Sequence, residues 1–504
     1  MEFTPNHVRS IISKLALALV CLTATTAYAG PPSWLRAITS EGSGDSCNPS
    51  QCDDTAYSIK VTPDGSQYVT GRFSSTIRFG GTTLVSAGGL DMFLAKYGRY
   101  GKLLWIVQAG GASDDEGVGV DFDKAGNVYV AGGFTNSATF GSVDGKTKTV
   151  TGNGSTIFLA KYLSSGDLVW VQTGIASGGV NGASGLAVNR VAGTVYISAA
   201  SQGDVTFSSA NGNSNTVPGV GDWHMVLAKY DTSGNFQWGE TDAATPNSLP
   251  YGVAVDNKDN AYVTGWLEDT TTFYSNDGHN ITIVGFSPAH TTGDYPDDAF
   301  LVKYDGKGDV KWVNHLGGYV ARGSNVAISP AGDVTVVGAL GNINYGTPSE
   351  AYTLVTSQPP GKTANLGGGD FTDPYNMDIF IITYNPAGVL RKAIRRGNSQ
   401  QEAASGVAYD RSGHLYVSGI LQDPVHAQNV FVMKYSGGKF LWRRIAGNAG
   451  VWITDNPELS PALAVDPAGR VFVTGSYQGT ATFGKFNLKA NGAASIFLAE
   501  LPPD

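Results

Sequence analysis

The 504-residue sequence predicts an all-β fold, a seven-bladed β-propeller of four-stranded blades whose last blade is closed by the N-terminal strand. Three observations predict it. A short apolar pattern recurs seven times; a second pattern, usually ending in Lys-Tyr, follows each copy; and 67 glycines without a collagen-like three-residue period must punctuate turns. A hydrophobic content of 41% with 11% aromatics is enough to build a large core, and 15% charge is below ordinary usage. Length alone would suggest about three domains, but the repeat merges residues 30–504 into one.

The first pattern reads YVTG (Tyr68 to Gly71), VYVAG (Val128 to Gly132), VYISA (Val195 to Ala199), AYVTG (Ala261 to Gly265), VTVVG (Val334 to Gly338), LYVSG (Leu415 to Gly419) and VFVTG (Val471 to Gly475). The spacing averages about 67 residues. The second reads FLAKY (Phe93 and Phe158), VLAKY (Val226), FLVKY (Phe300), FIITY (Phe380), FVMKY (Phe431) and FLAEL (Phe497). β-Branched and aromatic runs bounded by turn residues are strands. Each unit therefore holds two hairpins, giving strands A to D. Strand D carries Trp four residues past a turn glycine: Trp105, Trp170, Trp238, Trp312 and Trp442. Unit five breaks this with Lys392. Unit seven stops at Pro502-Pro503-Asp504 without a D strand, and Ser33-Trp34-Leu35-Arg36-Ala37 offers a sixth Trp in register at the other terminus. That strand is expected beside the strand of Phe497, leaving no wide seam.

These elements resemble the bacterial β-propeller repeat family SBBP over essentially all of residues 33 to 501. The resemblance implies a propeller fold in mostly exported or surface proteins and transfers no catalytic residue. NHL repeats look like the first half only, and the WD dipeptide signature is absent.

Arg9 and Lys14, the apolar run Leu15 to Leu22 and the ending Ala27-Tyr28-Ala29 form the pattern of a secretory signal over residues 1–29. Eight apolar residues are too few for a span. Val20 before Cys21 argues against lipidation. Without that segment the chain keeps 31 basic and 41 acidic residues, a formal charge of about −10, so nucleic acid is an improbable partner. The expected location is secreted, periplasmic or cell-surface. Cys47 and Cys52 are expected to form a local disulfide in that oxidising setting.

Residues that recur blade after blade are architectural first. The Trp residues are expected between blades, with each indole N–H wanting a partner. Lys96, Lys161, Lys229, Lys303 and Lys434 are expected to snorkel or pair, and Asp121, Asp256, Asp410 and Asp466 to cap turns. Asp121, Asp123 and Asn127, or Asp305 and Asp309, lack the spacing of a calcium loop, so no cofactor or metal is assigned and calcium is a minor alternative.

Antiparallel strands place the A–B and C–D turns on one rim and the B–C and D–A connections on the other. The short turns are uniform. The B–C connections are long in units three (Ser208 to Asp222), four (Tyr274 to Asp298) and five (Gly346 to Asp378), and are expected to form a raised wall on one rim. Candidate ligand-binding residues there are Trp223, His224, His279, His290, Asp294, Tyr295, Asp297, Asp298, Asp370, Asp373 and Tyr375. The D–A connections add Asp114, Asp115, Glu116, Trp452 and Asp455. Aromatics beside carboxylates suit glycan or protein binding. Nucleophile-elbow, zincin, P-loop and dinucleotide signatures are absent. The sequence thus points to a monomer that is a non-enzymatic binding or scaffold module; the alternative is a propeller hydrolase, lyase or quinone-dependent dehydrogenase with its site at the channel mouth.

Overall fold

The computed structural model describes residues 32–42, 54–179, 181–285, 297–317, 320–341, 353–356, 363–365, 377–397, 401–422, 428–447, 461–491 and 494–503. Among them every regular element is a strand. Strands A to D follow one another antiparallel, as in unit two: Asp115–Phe122, Val128–Gly141, Thr147–Tyr162 and Leu168–Ala176. This is the architecture of a β-propeller repeat.

One register irregularity explains the most regular glycine. Strand A carries a bulge, between Gly117 and Gly119 in unit two, and Gly132 of strand B faces it. A Cβ on Gly132 would lie 1.8 Å from the Glu116 carbonyl oxygen, and Gly71, Gly265, Gly338 and Gly419 meet the same obstruction. The glycine therefore admits the bulged backbone from within strand B instead of ending that strand.

Lys and Trp hold neighbouring units together. Lys96 lies over the Tyr68 ring at 5.2 Å and donates to the Ser164 carbonyl of the next C–D turn at 2.9 Å; the Trp105 indole N–H donates to the same oxygen at 3.1 Å. Units three and four repeat this on Gly306 and Pro386. The turn glycine rests on that indole: at Gly166, φ is +91° and a Cβ would come within 2.9 Å of Trp105. The recurrent Lys and Trp are thus structural, and their main acceptor is a backbone carbonyl. Lys229 adds an ion pair with Asp259 at 2.6 Å.

The B–C insertions differ from the expected wall. In unit three, Val205–Ser208 and Ser214–Val217 form a hairpin that pairs with strand D of unit two, Gly174 opposite Phe207. Unit four places Thr270–Phe273 and Ile281–Val284 on strand D of unit three; unit five places Thr353–Thr356 and Thr363–Asn365 on that of unit four. Unit seven does the same with Thr480–Phe483 and Phe486–Lys489, and units one and two achieve it by lengthening B and C. The hairpins descend the outer flank because their Phe buries there. Phe79, Phe140, Phe273 and Phe483 each lie 4.9–5.4 Å from the first Phe of their own strand C.

The N-terminal strand Arg36–Thr39 pairs with strand C of unit seven, Ser495–Leu501, with Thr39 opposite Phe497. The expected register is off by two. Arg36, not Trp34, stands opposite Glu500, the counterpart of the Lys–Trp pair, and its guanidinium lies 2.6 Å from that carboxylate. Trp34 instead packs edge-on against Phe483 of the outer hairpin, 5.1 Å away. Past it, Glu41–Gly42 pairs with the lengthened strand B of unit one. Inner strands from all seven units line a central cavity of about 370 Å³.

Of the four turn aspartates, Asp256, Asp410 and Asp466 accept backbone amides two and four residues on. Asp121 does not. Asp123 takes that role in unit two, while Asp121 accepts Val188 N–H across the unit boundary and pairs with Arg190.

Candidate functional site

The rim of B–C and D–A connections is built from residues standing where strands begin and end, at positions the repeat does not fix. Trp223 precedes strand C of unit three, His224–Asp231, and its N–H donates to Asn247 Oδ1 at 3.3 Å. Asn247 Nδ2 donates to Glu268 Oε2 at 2.9 Å, and Glu268 stands opposite Asp297 across strands B and C of unit four. Asp297 then accepts Arg322 Nε of unit five at 2.6 Å. The Arg322 guanidinium lies 5.2 Å over Trp266, whose indole N–H donates to Tyr251 Oη at 3.0 Å. The Trp223 backbone, two carboxylates, a guanidinium and the half-buried Trp266 indole thus follow one another across three units. Burial raises the Glu268 carboxyl, helped by the Asp297 charge and opposed by Asn247 and Arg322.

The other predicted residues divide by position. Asp298 begins the same strand as Asp297 and is buried. His224 is fully buried, and burial lowers its pKa against the opposing Asp204 charge and a Gly203 backbone hydrogen bond. His279 leaves the rim altogether. It sits in the outer hairpin of unit four beside Asp277, and Asn276 in that tip donates to the Lys307 carbonyl on the opposite rim. His290, Asp294, Tyr295, Asp370, Asp373, Tyr375, Trp452, Asp455, Cys47 and Cys52 lie outside the described residues.

Asp114, Asp115 and Glu116 stay on the rim but form a separate group beside unit one. Asp115 accepts Gly111 N–H at 2.6 Å and Thr135 N–H at 3.1 Å, and burial pushes it up to about 7 against those bonds. Asp114 accepts Leu90 N–H and Glu116 pairs with Arg72. Nearby Asp91 is also raised by burial. These acids hold connections in place. Asp242 is used likewise: it accepts Met225 N–H at 2.9 Å and the Ser248 hydroxyl at 2.7 Å, and complete burial raises it to about 7.

Asn247, Tyr251, Trp266, Glu268 and Arg322 were not foreseen. Their signal is departure from the repeat: Trp266 follows the strand-B glycine where other units have Arg72, Gly133, Ala200, Ala339, Ile420 and Ser476. Among the described residues, no group of three or more His, Cys, Asp and Glu could hold a metal.

This geometry belongs to a β-propeller repeat protein. Residues 104–133, which run from strand D of unit one into strand B of unit two, match the SBBP family, described as a β-propeller repeat, as the resemblance read from the sequence implies. The chain is 23% identical over 476 residues to an uncharacterized WD repeat-containing protein of Acanthamoeba polyphaga mimivirus, covering 79% of this chain and 32% of that protein. It therefore spans about a third of the length of that relative. Among solved structures it is similar to a Dos1 propeller, at 9% identity and a TM-score of 0.40 over 94% of this chain and 95% of the other. It is also similar to a eukaryotic initiation factor structure, at 10% identity and a TM-score of 0.20 over 70% and 91%. No helix among the described residues is long and apolar enough to cross a membrane.

Proposed function

We propose that the chain is a closed seven-bladed propeller, exported after loss of residues 1–29, that acts as a non-enzymatic binding module through the rim carrying Trp223, Trp266, Glu268, Asp297 and Arg322. Supporting closure are the pairing of Arg36–Thr39 with the last unit and a core cluster that joins Ile59 and Phe73 of unit one to Phe472 and Leu498 of unit seven. One observation carries the binding reading. The uniform rim uses its recurrent cations and indoles to hold neighbouring turns, whereas the variable rim of units three to five gathers half-buried indoles beside carboxylates and a guanidinium. Such a surface suits a glycan or polar peptide, the rings stacking and the charged groups fixing orientation.

A thermal-shift screen of the mature protein against soluble glycans and peptides tests it. A ligand should raise the melting temperature of the parent and leave Trp223→Ala and Trp266→Ala variants unshifted. Ligand stabilisation that survives both substitutions would remove this rim from the binding reading; turnover of any substrate would replace it with an enzyme.

A further inference from the structure

Positive charge in this acidic chain is concentrated in one stretch. Residues 390–447 hold nine of the 33 Lys and Arg but three of the 42 Asp and Glu. The stretch begins with strand D of unit five, Leu390–Arg396, read Leu-Arg-Lys-Ala-Ile-Arg-Arg. That strand is also set apart by topology. Strands D of units one, two, three, four and six each receive a strand from the following unit, and Glu41–Gly42 extends the last D strand onto unit one. The sheet of unit five ends at Leu390–Arg396: among the described residues unit six contributes no outer hairpin.

The missing hairpin leaves two marks. In unit three, Phe207 of the hairpin stacks on Phe236 at 5.4 Å and meets Tyr230 at 6.4 Å. In unit six the corresponding rings, Phe440 and Tyr435, are covered by the Arg396 guanidinium at 4.5 and 5.7 Å. Beside this edge a cavity of about 460 Å³ opens between units five and six. Ile381, Ile394 and Leu415 form its apolar wall, and Arg391, Lys392 and Arg411 its cationic mouth, with Asp333 3.7 Å from Arg391. Thr335, Thr383 and Lys392 stand there in place of the usual Tyr, Lys and Trp.

We propose that the edge of Leu390–Arg396 takes an extended acidic polypeptide segment of a partner, which pairs as an added strand and completes the row of outer hairpins. An open edge offers backbone donors and acceptors in a row, which selects a polypeptide over other polyanions. Arg391, Lys392 and Arg396 select carboxylates at its side chains. An aromatic or branched side chain of the segment enters the cavity or displaces Arg396 from the Tyr435 and Phe440 rings. The surface lies on the outer flank of units five and six, away from the rim proposed above, so the two stand or fall separately.

The mature protein is titrated with two fluorescent decapeptides of equal charge, alternating Glu-Val and alternating Glu-Pro, and with a sulfated polysaccharide. Proline has no N–H to donate to a ladder. Glu-Val should bind at least tenfold tighter than Glu-Pro, should slow amide exchange across residues 390–396, and should lose at least tenfold affinity in an R391E/R396E variant that melts like the parent. Equal binding of the two peptides, or polysaccharide binding with no added exchange protection, would overturn strand addition and leave a polyanion surface. Dimerisation that the same variant abolishes would make a second copy the occupant and equally overturn the proposal. No binding by any probe would leave the cations as guards against edge-to-edge association, the ordinary use of charge on an open strand.

Discussion

Units five and seven both abandon the Tyr–Lys–Trp contact that joins the other units, and they do so with opposite results. Unit seven replaces Lys and Trp by Glu500 and Arg36, a pair at 2.6 Å between a buried carboxylate and a half-buried guanidinium that Arg470 joins at 3.3 Å. Unit five replaces the trio by Thr335, Thr383 and Lys392; Thr335 and Thr383 hydrogen-bond each other at 2.7 Å, the Tyr409 hydroxyl meets Thr335 at 2.6 Å, and a cavity remains. The charge pair bridges its junction, whereas beside the two threonines a cavity of about 460 Å³ remains.

The largest expected effect comes from removing the sealing strand. A chain beginning at residue 54 exposes the edge of Ser495–Leu501 and should lose its cooperative melt and elute as aggregate; an unchanged melt would show that the N-terminal strand closes nothing. Next is the ion pair itself. Arg36→Ala leaves Glu500 unpartnered by its nearest cation and should destabilise by about 3–5 kcal/mol in denaturant titrations, whereas Lys392→Ala in unit five, losing one bond to the Gly438 carbonyl, should cost about 1 kcal/mol. Trp312→Ala, at a regular junction, belongs with the larger value through its buried ring. Similar costs at Lys392 and Arg36 would erase the contrast.

A further effect depends on pH. Burial holds Asp242 at about 7 in the native protein, above an unfolded carboxyl near 4, so the native state keeps a proton the unfolded chain has released. The stability this proton confers is present at low pH and is lost as pH rises from about 4 to about 7. Asp242→Asn removes that loss, so the variant should melt progressively above the parent over that window and hold a constant lead beyond it. Asp115 should behave alike. A flat difference across the window would show that Asp242 does not titrate there.

Strand positions, turns and the supply of a strand by the N-terminus were legible because each rests on local periodicity repeated seven times. The errors share a cause, which is that spacing along the chain was read without cross-strand partners. Trp34 matched the indole spacing, but pairing with Glu500 gives that position to Arg36. The B–C insertions were read as loops because their strands are four residues long; the recurring alternation before Phe140, Phe207, Phe273 and Phe483 was the missed signal of buried hairpins. His279 followed its hairpin to the far rim for the same reason. On the rim, Trp223 and Asp297 were found, while the Asn247 and Glu268 that link them lie on neighbouring strands and become neighbours only in the sheet.

The outer hairpins carry a last consequence, for how the molecule yields. Each lies on the sheet of the unit before it, so peeling one unit away must unzip a ladder belonging to another, and a single unit excised from the chain would lack the strand that covers its own edge. Among the described residues that interlock is missing between units five and six. Under force or in mild denaturant the array of units should part there first, with strand D of unit five exchanging its amides earliest, and new chain ends introduced at that junction should be tolerated better than at any other.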